Sequence, residues 1–217
     1  MPILITGSKG FIGKTFADLA HSSNFSPIRL SREDWNIRNP WPRTDVPQPC
    51  PDYFVHFAAN VKARQSIEDP RSFVADNIVG TFNVLELARK IGDLKLFIYI
   101  SSVEALGGCE IGYLSVDSSM KPSNPYAASK GAGELLTYTY FRAYKLPAII
   151  VRTQCVWSMN QTDPTKAVPI MKAKILAGEP VKIYTRNRVP GSRQWIEVEE
   201  FCSRLLRLLR QPLFQLR

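Results

Sequence analysis

The sequence predicts an α/β fold, a doubly wound parallel sheet of the Rossmann type. Three observations predict it: apolar runs alternate with helical stretches, a glycine-rich turn follows the first run, and prolines punctuate the connections. Pro2–Thr6, Ser26–Leu30, Tyr53–Ala58, Leu96–Ser101 and Pro147–Arg152 are short runs rich in Ile, Val, Leu and aromatic residues. They are continuous rather than alternating, as strands covered on both faces are. Helical stretches lie between them. Phe11–Ser22 follows the glycine turn, Ser72–Ile91 carries Val74, Ile78, Phe82 and Leu85 at helical spacing, and Pro125–Tyr144 is rich in Ala and aromatics. Such alternation folds through right-handed crossovers. Pro40, Pro42, Pro47, Pro49 and Pro51 exclude regular structure ahead of the third strand.

After Arg152 the pattern changes. A polar stretch, Ser158–Pro164, leads to a helix at Lys166–Ala177, a turn at Gly178-Glu179-Pro180, a strand-like Val181–Tyr184, a basic loop and an amphipathic Glu199–Arg210. The expected organisation is a dinucleotide-binding unit over residues 1–152 and a small, incomplete substrate-side portion over residues 153–217.

Composition narrows the function classes. The 217 residues are 45% hydrophobic and 22% charged, enough apolar surface to offset the chain entropy lost on folding. Charge-free stretches fall well short of the roughly 20 residues that span a bilayer, and Met1-Pro2 runs into Ile3-Leu4-Ile5 without a signal-peptide pattern. A cytoplasmic protein without membrane partners is expected. Cys50, Cys109, Cys155 and Cys202 are scattered and lack metal-ligand spacing, so no metal site is expected. The net charge of +9 favours anionic partners, dinucleotides and nucleotide sugars among them. Arg204, Arg207 and Arg210 form a basic ridge opposite Phe201, Leu205 and Leu209, read as the solvated face of an amphipathic helix and not as a nucleic-acid site.

The first chemical signal is Thr6-Gly7-Ser8-Lys9-Gly10-Phe11-Ile12-Gly13. A glycine turn that closes a strand and opens a helix receives a pyrophosphate: Gly7 permits the turn, Gly10 lets backbone approach phosphate, and Gly13 lets the helix pack on the strand. Gly7, Lys9, Gly10, Phe11, Ile12 and Gly13 are thus candidate cofactor contacts. At the tip of the second strand, an acid would take the adenosine ribose of NAD and an Arg the 2′-phosphate of NADP. Ser31-Arg32, with Lys9, lean toward NADP, whereas Glu33-Asp34 follow immediately and keep NAD open.

The second signal is Asn124-Pro125-Tyr126-Ala127-Ala128-Ser129-Lys130. Tyr126 and Lys130 stand one helical turn apart on one face. An ammonium and a positive nicotinamide ring favour phenolate, so Tyr126 can exchange a proton with a substrate hydroxyl as hydride moves. Lys130 would also hold the nicotinamide ribose. Ser102, at the end of the fourth strand, can hydrogen-bond the reacting oxygen.

These residues resemble the extended short-chain dehydrogenase/reductases, the NAD-dependent epimerase/dehydratase family. The resemblance is carried by Thr6–Gly13, Asp52–Ala59, Ser66–Pro70, Asn77, Ile100–Ser102, Pro122–Lys130, Val168-Pro169, Ala177–Pro180 and Ser192–Glu199. It implies a nucleotide-sugar enzyme with tightly bound NAD(P). Ser102, Tyr126 and Lys130 fall on the family's catalytic triad, Ala58 and Asn77 where it lines the cofactor, and Arg193 where it grips the substrate diphosphate. Glu104 falls where sugar 4,6-dehydratases and decarboxylases keep a Glu, with Val103 where an acid or polar residue often stands. The resemblance also implies a homodimer paired through the Tyr126–Tyr144 helix. Leu106, Cys155 and Ser158-Met159 depart from the family pattern. Epimerase and 4,6-dehydratase both stay open. So do a reductase of a small non-sugar carbonyl and a non-catalytic NADP(H)-binding regulatory protein.

Overall fold

The computed structural model describes residues 1–107, 115–182, 185–186, 189–190 and 194–211. Its centre is a five-stranded parallel sheet in the order β2-β1-β3-β4-β5. The strands are β1 (Pro2–Thr6), β2 (Ser26–Leu30), β3 (Tyr53–His56), β4 (Leu96–Ser102) and β5 (Ala148–Thr153). Every residue of β3 and β4 is buried, whereas β2 and β5, at the sheet edges, are half-exposed. The continuous apolar runs of β1, β3 and β4 thus match strands covered on both faces, and those of β2 and β5 do not.

One face of the sheet packs on α1 (Phe11–Ser22) and the other on α4 (Gly80–Ile91) and α5 (Pro125–Tyr144). Ahead of α4 come the short helices α2 (Gln65–Glu68) and α3 (Pro70–Phe73) and a wide π turn over Val74–Val79. That turn shifts the helical phase. Val74 and Phe82, expected in the buried stripe, are 48% and 44% exposed, and Phe73, Asn77, Thr81, Val84 and Ala88 are buried instead. Residues 31–52 form no helix or strand, as the prolines require.

The remaining elements are β6 (Cys155–Trp157), α6 (Ala167–Leu176), β7 (Thr185–Arg186), β8 (Val189–Pro190), β9 (Trp195–Glu197) and α7 (Val198–Arg210). β6 pairs with β9 in parallel, and β7 with β8 antiparallel. Val181 and Lys182 are not in a strand, and the rest of the expected Val181–Tyr184 strand lies outside the described residues. The helix α7 departs from the expected division at residue 152. Its apolar stripe of Phe201, Leu205 and Leu209 packs into the same core as Phe16, Ala17 and Ala20 of α1, as the buried face of an amphipathic helix does. The arginines opposite are tied within the chain: Arg204 and Arg207 meet Glu200, and Arg210 donates to the Ser23 carbonyl.

His56 ends β3 inside the sheet. Its Nδ1 lies 2.7 Å from Thr6 Oγ1 and its Nε2 3.1 Å from Thr81 Oγ1, so a neutral ring satisfies both hydroxyls. Burial, with Lys130 adding to it, pushes its pKa down to about 3. The unfolded chain protonates this group below about 6.5, and the native state does so only near 3. The unfolded chain therefore binds more protons between those values, and stability falls as pH drops through the window. A His56→Gln variant is expected to lose less stability between about pH 7 and about pH 4 than the parent, read as the shift in urea midpoint.

Candidate active site

The glycine turn joins β1 to α1. Gly7 has φ +71°, and a Cβ there would stand 2.7 Å from the Ala58 nitrogen. Gly10 donates to the Gly7 carbonyl at 2.9 Å, and a Cβ on Gly13 would stand 2.3 Å from that same oxygen. The turn is therefore closed to a side chain at Gly7 and Gly13, and a Cβ on Gly10 would crowd the Gly7 carbonyl at 3.2 Å. Gly10 caps α1 without a side-chain hydrogen bond, which leaves first-turn amides free of side-chain acceptors. The turn forms one wall of a cleft of about 500 Å³ whose lining includes Gly7, Lys9, Gly10, Ser31, Arg32 and Ala58. Trp35, Asn60 and Asp76 also line it, which the sequence reading missed. Phe11, Ile12 and Gly13 do not. Phe11 and Ile12 are turned onto the α1 core, and Gly13 is closed against the Gly7 carbonyl.

The tip of β2 is crowded with charge. The Ser31 hydroxyl lies within hydrogen-bond distance of the carboxylates of both Glu33 and Asp34 and has one proton to give them. Lys9 meets Glu33 at 2.9 Å, and Arg32 meets Asp76 at 3.1 Å. Hydrogen bonds from Ser31 and then Lys9 hold the Glu33 carboxyl down at about 2. The cations expected to receive a 2′-phosphate already hold carboxylates, and the lean toward NADP finds no support here.

At the far end of β4, Ser102 opens a 3-10 turn over Val103–Leu106, and its Oγ accepts from the Glu104 amide at 3.2 Å. The helix α5 starts at Pro125 beneath an Asn124 cap whose side chain accepts from Ala127 N. The Asn124 amide also donates to Glu104 at 3.4 Å. Tyr126, 8% exposed, has Ser102 and Glu104 as its polar neighbours. Lys130, 4% exposed, holds its ammonium 4.5 Å above the ring of Tyr99. A Cβ on Gly133 would lie 2.1 Å from the Tyr99 hydroxyl, so this glycine lets α5 settle on β4.

The electrostatics differ from the simple expectation that Lys130 lowers the pKa of Tyr126. Burial pushes the phenol up to about 12; the Ser102 hydrogen bond opposes this and Glu104 adds to it. Burial also pushes Lys130 down to about 7, with Glu134 pulling it back. Desolvation disfavours both charged forms and outweighs the one-turn spacing.

Asn77 does not line the cleft. It is buried behind it, where its amide donates to the Asn60 carbonyl at 2.9 Å and to Ser129 Oγ at 2.8 Å, and its oxygen accepts from Asn60 N at 2.7 Å. Ser129 in turn donates to the Tyr126 carbonyl at 2.7 Å. The loop after β3 is thus fastened to the turn of α5 that carries Tyr126. Glu134, one turn beyond Lys130, accepts from Ser101 and from Arg152 on β5. Neither partner was visible in the motif. Arg193 lies outside the described residues. Among the described residues there is no His, Cys, Asp or Glu cluster fit to hold a metal, and no helix long and apolar enough to cross a membrane.

A glycine cradle at the head of α1 borders a cleft at the carboxyl ends of the strands, and Ser102, Tyr126 and Lys130 gather at the end of β4 and the first turns of α5, outside the residues that line it. Residues 3–215 match the NAD dependent epimerase/dehydratase family, and the chain belongs to it. A dTDP-glucose 4,6-dehydratase of Streptomyces niveus is 30% identical over 93% of the chain and 67% of its own length. A low-salt glycan biosynthesis protein of Haloferax volcanii is 30% identical over 97% of the chain and 74% of its own. Among solved structures, a dTDP-glucose 4,6-dehydratase of Streptomyces venezuelae with NAD bound is 25% identical. It superposes with a TM-score of 0.78 over 97% of this chain and 72% of that one. A UDP-glucose 4-epimerase of Thermus thermophilus, at 24% identity and a TM-score of 0.79 over 98% of this chain and 75% of that one, shares the fold.

Proposed function

We propose that the chain is an NAD-dependent nucleotide-sugar 4,6-dehydratase. The observation that carries this reading is the meeting of Ser102, Glu104 and Tyr126 at the end of β4, with Lys130 buried one turn deeper. The cradle fits a dinucleotide, since Gly7, Gly10 and Gly13 keep side chains out of the space beside the free amides of α1. NAD, and not NADP, is the cofactor, in keeping with the NAD complex of the Streptomyces venezuelae relative and with the paired cations at the β2 tip. When bound, NAD supplies the hydride acceptor and donor and a positive ring that favours phenolate.

Tyr126, as phenolate, takes the proton of the sugar 4-hydroxyl as that carbon is oxidised. Ser102 hydrogen-bonds the same oxygen and holds it against the phenol. Lys130 grips the nicotinamide ribose, and Glu134 favours its charged form. Glu104 then takes the proton from C5, made acidic by the adjacent ketone, and passes it to the C6 hydroxyl, which leaves as water. The hydride taken from C4 would be returned by the cofactor to C6, with a proton to C5, to give the 4-keto-6-deoxy sugar. Residues 1–152 with α7 form the cofactor half, and 153–197 contribute to the sugar side, where Arg193 binds the diphosphate. Two copies pair across α5, which exposes Leu135, Tyr138 and Tyr144.

Epimerisation at C4 needs Tyr126 and Ser102 but not Glu104, so Glu104 and the 30%-identical dehydratase favour dehydration. The test is product analysis by NMR after incubation with NAD and dTDP-glucose or UDP-glucose. A 4-keto-6-deoxy sugar is expected, with dehydration lost in Glu104→Gln. A C4 epimer alone would overturn the dehydratase reading and favour the epimerase.

A further inference from the structure

The mouth of the cleft carries an ion cluster that the proposed reaction does not use. Asp76, in the π turn over Val74–Val79, faces the β2 tip. Arg38 grips both of its oxygens, Nε on Oδ1 at 2.6 Å and Nη2 on Oδ2 at 2.9 Å. Arg32 adds a contact to Oδ1 at 3.1 Å. The Asp76 side chain is only 14% exposed, against 64% for Arg32. Arg38 comes from the irregular segment after β2, whose fold is held by Asn83 donating to the Ile37 carbonyl at 2.8 Å. The carboxylate is therefore fixed by one arginine and touched by a second that lines the cleft.

We infer that Asp76 is a specificity-determining residue of the cofactor cleft: pinned by Arg38 and holding Arg32, its carboxylate bars a phosphate from the adenosine 2′-position and so selects NAD over NADP. The inference rests on the reading that this cleft takes a pyridine dinucleotide. The exposed Arg32–Asp76 contact is weak by itself, and a phosphate dianion binding the guanidinium fork would win Arg32 from a mobile carboxylate. The Asp76 carboxylate is not mobile. A phosphate reaching Arg32 would sit beside a fixed negative charge in a partly buried site, where like charges repel strongly. A phosphate drawn instead to Lys9 would meet the Glu33 carboxylate already there. An arginine at the strand tip is thus not sufficient for NADP; what matters is the carboxylate that holds it.

The test is calorimetric titration of NAD and of NADP into the wild-type chain, Asp76→Asn, Arg38→Gln and the double variant Asp76→Asn/Arg32→Gln. The wild type is expected to bind NAD at least tenfold more tightly than NADP. Asp76→Asn should shrink that ratio at least tenfold by tightening NADP, and adding Arg32→Gln should abolish the gain. Arg38→Gln keeps the carboxylate but frees it, and should move the ratio in the same direction by less. Both Kd values come from one sample, so a variant of lowered stability still gives a valid ratio, and Arg38→Gln reads the same effect should Asp76→Asn fail to fold. NAD binding with a ratio unmoved in these variants, or a wild type that prefers NADP, overturns the inference alone. A wild type that binds neither overturns the dinucleotide reading and the inference with it.

Discussion

Tyr126→Phe is expected to lower kcat on a nucleotide sugar by roughly 10²- to 10⁴-fold while NAD still binds. The substitution removes one hydroxyl from a buried ring and leaves the edge contact with Phe73, at 6.3 Å between centroids, in place. The fold and the cleft at the β2 tip should not notice it. What is lost is the hydroxyl that Ser102 hydrogen-bonds and to which the proposed proton exchange with the sugar is assigned. The phenol sits near 12 because it is buried, so proton transfer depends on charge supplied around it, from Lys130 and from the bound cofactor. Steady-state turnover together with NAD titration checks this. A variant that turns over within tenfold of the parent would remove Tyr126 from the chemistry.

Glu134→Ala is expected to destabilise the fold by about 3–5 kcal/mol, the usual cost of stranding one partner of a buried ion pair. For a chain of this size that lowers Tm by roughly 6–20 °C. Glu134 is 2% exposed, accepts from Arg152 through Nε and Nη2, and also takes the Ser101 hydroxyl. Truncation leaves the Arg152 guanidinium and a buried hydroxyl facing a void between α5 and β5. Glu134 also supports the charged form of Lys130, whose pKa would fall further without it. Glu134→Gln keeps acceptor geometry and should lose less. A calorimetric melt that moves by only a degree or two in Glu134→Ala would mean the pair contributes little.

The parts of this molecule legible in the sequence are those set by local pattern. β1, β2, α1 and α5 follow from continuous apolar runs, a glycine turn and the Asn124-Pro125 cap, all readable within a few residues. The Tyr126, Lys130 and Ser102 candidates were readable because helical spacing and a strand end are also local. What was not legible depends on packing. The π turn adds a residue without a sequence signature and rotates Val74 and Phe82 outward. Glu134 and Arg152 meet only because a crossover lays α5 over β5, and Asp76 finds Arg32 and Arg38 only because a proline-rich segment folds back to it. The lean toward NADP counted the arginine and could not see the carboxylate that holds it. Burial likewise reversed the electrostatic argument for Tyr126 and Lys130, since spacing carries no information on water.

A crystal structure of the chain with NAD would show whether the glycine turn and the Tyr126–Lys130 helix serve one dinucleotide. The pyrophosphate is expected at Gly7–Gly10, the adenosine ribose beside Ser31 and Asp76, and the nicotinamide end between Lys130 and Tyr126. A dinucleotide bound elsewhere, or one that turns its nicotinamide away from Tyr126, would contradict this placement.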